Sequence, residues 1–110
     1  MVNHSVYYSE ARLDALFTAL ADPIRRGMVA RLAQGPATVG ELGAPWPITK
    51  PAVTKHVRVL ERAGLVRRRK DGRLHHCTLD PDPLAQAASW LERQRLFWEG
   101  SLDRLADLVK

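Results

Sequence analysis

The sequence lacks the residues and segments on which several classes of protein depend. Its single cysteine, Cys77, cannot form a disulfide within the chain and is typical of a protein from a reducing compartment. No stretch approaches the ~20 consecutive apolar residues that span a bilayer. The first residues, MVNHSVYYSEAR, contain no apolar core of a secretion signal. We therefore expect a cytoplasmic, nucleoid-associated protein without a membrane partner.

Catalytic patterns are also missing. The sequence shows no Ser/His/Asp or Cys/His arrangement with supporting signals, no glycine-rich loop that would cradle a phosphate, and no paired carboxylates. We expect no enzyme activity and no cofactor. The 110 residues fit one domain, 1–110, without a linker or repeat. A core this small favours oligomerisation.

Positive charge is abundant and unevenly distributed. The chain has 17 Lys and Arg against 12 Asp and Glu, with an isoelectric point near 10.0. The segment from Lys50 to Arg73 holds nine of the cations and two anions, whereas the remainder holds eight cations and ten anions. Such a localised basic segment indicates an anionic partner, with nucleic acid and an anionic membrane surface as the candidates.

Apolar periodicity and helix-stop signals predict the order of the secondary structure. The first two expected helices lie at about 9–21 and from Pro23 to a stop near Gly35. A third starts at Thr38, which stands three residues before Glu41 as in a capping box, and a fourth runs from the Thr49 cap to about Ala63, where Gly64 ends it. A ribbon at about 65–79 around an Asp71-Gly72 turn and a helix at about 83–108 capped by Asp82 complete the chain. This order predicts a mainly α fold with a small β-ribbon, the winged helix-turn-helix. The helix-turn-helix would span about 38–63, and the first and last helices would mediate dimerisation.

The fourth predicted helix has two different faces. Val53, His56, Val57 and Leu60 lie on its apolar side, where we expect His56 to be packed and hydrogen-bonded. The outer side carries four cations and only one anion. Its first turns would read bases and its later cations would meet phosphates, which assigns DNA-binding roles to Lys50, Pro51, Thr54, Lys55, Arg58 and Arg62. An ordinary solvated face is the alternative.

The predicted ribbon is the second basic element. Its cations are Arg67, Arg68, Arg69, Lys70 and Arg73, and the only anion among them is Asp71. We interpret the ribbon as a wing that lies along the DNA backbone or in a minor groove. The alternative is an edge ribbon that is charged to prevent aggregation.

The last predicted helix carries a long apolar stripe that would remain exposed on a single small domain. Together with the first helix it predicts a two-fold interface built from Leu13, Leu16, Phe17, Leu91, Trp98, Leu102 and Leu105. Such a homodimer would place two reading helices roughly 34 Å apart on double-stranded DNA with a near-palindromic operator. A monomer whose last helix folds back is the alternative.

Three stretches carry a resemblance to a known family: LFTALADPIRRGMVARLAQGPATVGEL, KPAVTKHVRVLERAGLVRRRKDGRLHHCTLDP and WLERQRLFWEGSLDRL. They resemble the ArsR/SmtB family of winged helix-turn-helix repressors. The resemblance implies a dimeric repressor that a metal ion or another inducer often releases from DNA. The third helix lacks the family's CxC pair, and no histidine follows His76. The chain is therefore more similar to the metal-independent branch, with an unidentified small molecule as the inducer, if there is one.

One further motif offers metal ligands. His75 and Cys77 would project from one side of a strand and His76 from the other, so that two ligands at most converge. His4 could add a third. A metal-responsive repressor with an atypical site, a nonspecific architectural DNA binder and a protein-binding winged-helix module therefore remain alternatives to a sequence-specific repressor.

Overall fold

A computed structural model describes residues 10–109 of the chain. The elements are, in order, α1 (Glu10–Leu20), α2 (Pro23–Leu32), β1 (Ala37–Thr38), α3 (Val39–Gly43), α4 (Lys50–Arg62), β2 (Val66–Asp71), β3 (Leu74–Leu79) and α5 (Asp82–Leu108). The helices surround one apolar core, and the strands form a small sheet beside α4. The predicted mainly α winged helix-turn-helix fold is confirmed.

Side-chain caps define where α2 and α3 begin. Asp22 accepts a hydrogen bond at 3.0 Å from the backbone N–H of Arg25, ahead of Pro23 in the first turn of α2. Thr38 Oγ1 accepts from the Glu41 N–H at 3.1 Å, and the Glu41 carboxylate accepts from the Thr38 N–H at 3.0 Å. This reciprocal capping box, predicted from the sequence, satisfies two N–H groups that a helix start leaves unpaired.

Close packing sets the crossing of α3 and α4. A Cβ atom built on Gly43 would lie 2.4 Å from Cγ2 of Val53, a distance that no side chain tolerates. Gly43 is therefore required because the backbone of α3 rests directly on α4.

The sheet contains a strand that the sequence did not reveal. β3 lies between β2 and the two-residue strand β1, and both pairings are antiparallel. A strand of two residues leaves no readable pattern, and Thr38 also caps α3. The predicted turn is shifted by one residue, because Asp71 still pairs with Leu74 and the loop consists of Gly72 and Arg73. Gly72 has φ +61°, a conformation that favours glycine.

The long helix α5 begins differently from the prediction. Asp82 is its first residue and not its cap, and the carboxylate of Asp80 accepts a hydrogen bond at 3.0 Å from the Asp82 N–H. α5 then runs for 27 residues. The radius of gyration is 18.1 Å, whereas a compact chain of this length would have about 13 Å. Within residues 10–109 no helix is long and apolar enough to cross a membrane.

Candidate nucleic-acid interface

The helix α4 presents its polar side to solvent over its full length. Thr49 Oγ1 accepts from the Ala52 N–H at 3.3 Å at its start, and Gly64, with φ +77°, lies just beyond its end. Val53, Val57 and Leu60 are buried. Among the predicted DNA-binding residues of this helix, Thr54 is half-buried. The others are exposed: Lys50, Pro51, Lys55, Arg58 and Arg62.

The four cations of this exposed side have no carboxylate within ion-pair distance among residues 10–109: Lys50, Lys55, Arg58 and Arg62. Uncompensated cations on one side of a short helix create a positive potential that attracts a polyanion. The helix has 13 residues, or about 20 Å at 1.5 Å per residue. A helix of this size enters a major groove about 12 Å wide.

The cations of the wing, defined as residues 66–79, fall into two groups. Arg67 pairs with Asp80 at 3.0 Å, and Arg68 pairs with Glu61 of α4 at 3.1 Å. Asp71 is the only anion within the ribbon, but Asp80 and Glu61 from outside it compensate two of its cations, which the sequence did not predict. The side chains of Arg68 and Glu61 are only 24% and 28% exposed. Arg68 is opposite Cys77 in the sheet register and so points toward the core side.

The second group consists of Arg69, Lys70 and Arg73. All three are exposed, and none has a carboxylate within ion-pair distance in the described part of the chain. They lie at the end of the ribbon, around the Gly72 loop. These three residues and the four cations of α4 described above are together named the basic face below: Lys50, Lys55, Arg58, Arg62, Arg69, Lys70 and Arg73.

His56 is packed and hydrogen-bonded, as predicted. Its Nδ1 lies 3.1 Å from Nη1 of Arg25 and 4.0 Å from a carboxylate oxygen of Asp22. The Arg25 N–H group, together with His56 and Arg25 itself, lowers the pKa of the Asp22 carboxyl. Arg25 also donates to the carbonyls of Thr18 and Ala19 at the end of α1, at 2.9 and 2.8 Å. Arg25 thus ties α1 and α2 to α4.

The role of Arg25 was not predicted from the sequence, although the position of this residue in the chain indicates a specific partner. Arg25 and Arg26 occupy the first turn of α2, where the helix dipole disfavours cations. Arg26 donates to the carbonyl of Leu20 at 2.7 Å. Cations at an unfavourable helix position indicate a specific partner, and here the partners are carbonyls at the end of α1.

The residues of the HHC motif, His75, His76 and Cys77, alternate between the two faces of the sheet. Cys77 is fully buried, and burial raises the pKa of its thiol. His75 and His76 are half-buried. Within residues 10–109 no group of three His, Cys, Asp or Glu side chains is placed to hold a metal ion. His4 lies outside the described residues.

Several apolar side chains of α5 are exposed. Leu91, Trp98, Leu102 and Leu105, predicted for a dimer interface, are 51–60% exposed. Leu108 and Val109 continue this side of the helix and were not among the predicted residues. Leu96 is also exposed, but at 100° per residue it lies on the opposite, acidic side of α5. With Phe97 the residues of the first side form the apolar stripe of α5: Leu91, Phe97, Trp98, Leu102, Leu105, Leu108 and Val109.

The helix α1 contributes less to this surface than expected. Leu16 is 0% exposed in the single chain, so its assignment to a dimer interface was wrong and it belongs to the chain's own core. Leu13 is half-buried, and Phe17 is 38% exposed. Phe17 packs edge-on against Trp90 of α5, with ring centroids 5.9 Å apart. A helical periodicity cannot distinguish a side that faces the chain's own core from one that faces a partner.

Comparisons with known proteins agree with this geometry. A family model described as "Helix-turn-helix domain" matches residues 20–69. The HTH-type transcriptional regulator Rv2034 of Mycobacterium tuberculosis is 43% identical over 96 residues, which cover 87% of each chain. The transcriptional repressor SdpR of Bacillus subtilis is 25% identical over 79 residues, 72% of this chain and 88% of that protein.

A solved structure shows the same fold. The crystal structure of an ArsR family transcriptional regulator superposes with a TM-score of 0.80 at 40% identity, and the match covers 83% of this chain and 94% of that chain. The matched residues include the helix-turn-helix that presents the basic face. The chain therefore belongs to the ArsR family of winged helix-turn-helix proteins and is a DNA-binding transcriptional regulator, not an enzyme.

Proposed function

We propose that the protein is a homodimeric repressor that binds a near-palindromic operator through the basic face. The observation that carries this proposal is the concentration of seven exposed cations without carboxylate partners on α4 and the end of the wing, within residues 10–109. Repression would follow because the bound dimer blocks the promoter.

The residues of the basic face have different roles in this proposal. Lys50, Pro51, Thr54 and Lys55, in the first turns of α4, lie against base edges in the major groove. Arg58 and Arg62 meet phosphates, as do Arg69, Lys70 and Arg73 of the wing. Arg67 and Arg68 contribute less to DNA binding than the sequence alone indicates, because each already pairs with a carboxylate.

The homodimer is supported by α5. A monomer rarely exposes a contiguous apolar surface of this extent, and the radius of gyration of 18.1 Å is that of a chain that is not compact by itself. We infer that the apolar stripes of two copies meet around a two-fold axis. Arg95 interrupts the stripe, but it donates to Glu99 at 2.7 Å and to Glu92, so its charge is satisfied within one helix.

The proposed repressor does not use the family's cysteine site for metal. The helix α3, VGELG, provides no thiolate, and the thiol of Cys77 is buried. Titration of Zn²⁺ or Cu⁺ into the protein–operator complex should leave the affinity unchanged. Release of operator at stoichiometric metal would refute this part of the proposal and favour an atypical metal site.

The experiment that tests DNA recognition is selection of bound sequences from a random duplex pool, followed by salt-titrated binding. A repressor should yield a near-palindrome bound about 10³-fold or more above random duplex. A preference below about tenfold, far short of that ratio, would indicate a nonspecific architectural protein. No duplex binding at low salt would indicate a protein-binding module instead.

Variants then separate base reading from phosphate contact. Thr54→Ala and Lys55→Ala should change the selected sequence. Arg69→Ala and Lys70→Ala should weaken binding to all sequences alike and reduce the salt slope by about one unit each. Equal effects of both groups on every sequence would refute this division of roles.

The dimer is tested by light scattering coupled to gel filtration. Leu102→Glu, in the apolar stripe, should shift the protein to the mass of one chain and weaken operator binding. Asp103→Ala, the adjacent exposed residue on α5, is the matched control and should remain dimeric. A wild-type chain that elutes as a monomer at micromolar concentration would contradict the proposal.

A further inference from the structure

A groove of about 610 Å³ separates the helix-turn-helix from the end of the wing. This volume lies within the range of small-molecule sites, roughly 300–1,000 Å³. We name it the wing groove. Its apolar wall is formed by Val39, Trp46, Ile48 and Val53, and Leu74 of the wing faces them across the groove. Leu74 is 55% exposed.

The rim of the wing groove is cationic. Lys50, Arg73 and His75 line it together with the hydroxyl of Thr54, and none of its described lining residues is acidic. Neither Lys50 nor Arg73 has a carboxylate within ion-pair distance among residues 10–109. An apolar wall below a cationic rim is complementary to a molecule with an apolar body and one acidic group.

The wall is held in place by glycine contacts. A Cβ built on Gly27 of α2 would lie 2.4 Å from Cζ2 of Trp46, so the indole ring rests directly on the α2 backbone. On the opposite side Val53 is wedged against Gly43. A wall with fixed side chains loses little conformational entropy when a ligand binds, which favours affinity.

We propose that the wing groove binds an organic carboxylate with a medium-length apolar chain, and that the bound carboxylate competes directly with the operator. The competition follows because Lys50, Thr54 and Arg73 line the groove and also belong to the proposed DNA contacts. This competition depends on the proposed function, whereas carboxylate binding does not.

The test uses octanoate, below its micelle concentration, and the neutral analogue 1-octanol as probes. The chain has three tryptophans, so the indole N–H region of a ¹H–¹⁵N spectrum contains three signals, and Trp46→Phe identifies that of Trp46. Octanoate should shift the Trp46 signal of the DNA-free protein. 1-Octanol should bind more weakly by about tenfold or more, because it lacks the charge that meets the rim.

Two leucine variants distinguish the groove from the apolar stripe. Leu74→Ser should weaken octanoate binding severalfold, because about one buried side chain is lost. Leu108→Ser, the same change at an 81% exposed leucine of α5, should leave octanoate binding unchanged. The proposed site would be refuted if octanoate shifted the indole signal of Trp90 or Trp98 instead of that of Trp46. Equal effects of Leu74→Ser and Leu108→Ser on octanoate binding would also refute it.

A separate measurement tests competition. Octanoate should displace a labelled operator duplex from the wild type at lower concentration than from Leu74→Ser. Binding at Trp46 without displacement would overturn the competition. Absence of any specific duplex binding would refute the proposed function while the octanoate result stands by itself.

Discussion

Glu61 in the last turn of α4 and Arg68 in β2 form an ion pair, with 3.1 Å between Oε1 and Nη2. The pair is the polar connection between the helix that would read bases and the wing that would follow the backbone. Both side chains are about three-quarters covered, with 28% and 24% exposed. Coverage reduces solvent screening of the attraction between the two charges. The contact is electrostatic only, because Glu61 Oε1 is buried without a hydrogen-bond partner in the described part of the chain.

Glu61→Gln tests whether this pair positions the wing. Removal of an anion near DNA would by charge alone raise the affinity for any duplex. If the pair orients the wing, operator affinity should instead fall by about fivefold, an effect of roughly 1 kcal/mol, while random-duplex affinity does not fall. Binding is measured at constant salt, with Glu92→Gln on α5 as the control. A rise in operator affinity would contradict the positioning role.

Gly43→Ala should destabilise the fold strongly, because the new methyl group would lie 2.4 Å from Val53. Overpacking of this kind costs about 1–3 kcal/mol. Gly40→Ala in the same helix is the matched control, since its nearest neighbour would be Thr38 Oγ1 at 3.8 Å. The control should be neutral or stabilising by about 0.5–1 kcal/mol. Urea unfolding compares the two, and equal stabilities would show that α3 can move away from α4.

The lowered pKa of Asp22 predicts an acid-dependent stability. Because the folded-state pKa lies below the unfolded one, the unfolded chain binds more protons in acid. The contribution is present above the ordinary pKa of about 3.9 and is lost as the pH falls through the lowered value. The stability difference between wild type and Asp22→Asn should therefore be constant near neutral pH and shrink in acid. A difference that stays unchanged as the pH falls below the ordinary carboxyl range would contradict the linkage.

Cys77 should be inert in the native protein. Its thiol is 0% exposed and its pKa is raised by burial, so the reactive thiolate is scarce at neutral pH. A thiol-reactive disulfide reagent should label the native chain slowly and the chain in guanidinium at once, one group per chain. Rapid labelling under native conditions would show that the sheet opens and would restore Cys77 as a candidate sensor.

Local signals in the sequence were informative where one short segment determines the structure. The capping box of Thr38 and Glu41 and the stop at Gly64 depend on residues within four positions of each other, and both occur as predicted. The packed position of His56 followed from helical periodicity alone. These features need no knowledge of the tertiary arrangement.

Contacts between distant segments could not be predicted in this way. The neutralisation of Arg68 depends on Glu61 across the α4–β2 turn, and that of Arg67 depends on Asp80, 13 residues away. Leu16 shares the spacing of an exposed stripe but faces the core. Charge and periodicity identify the basic surface, whereas the pairing of individual cations depends on the register of the sheet.

The length of α5 has a consequence for how operator occupancy depends on the concentration of the protein. Its 27 residues extend about 40 Å, and the part beyond Leu91 is mostly exposed in one chain. Most of the stability of a helix in a protein comes from the packing of its apolar side and not from intrinsic propensity. If two chains pair through this helix, the folding of its exposed part and the dimerisation of the protein become a single equilibrium. The fraction of chains that can occupy both half-sites of an operator then rises steeply with protein concentration. The rate at which the protein is synthesised would therefore itself control operator occupancy.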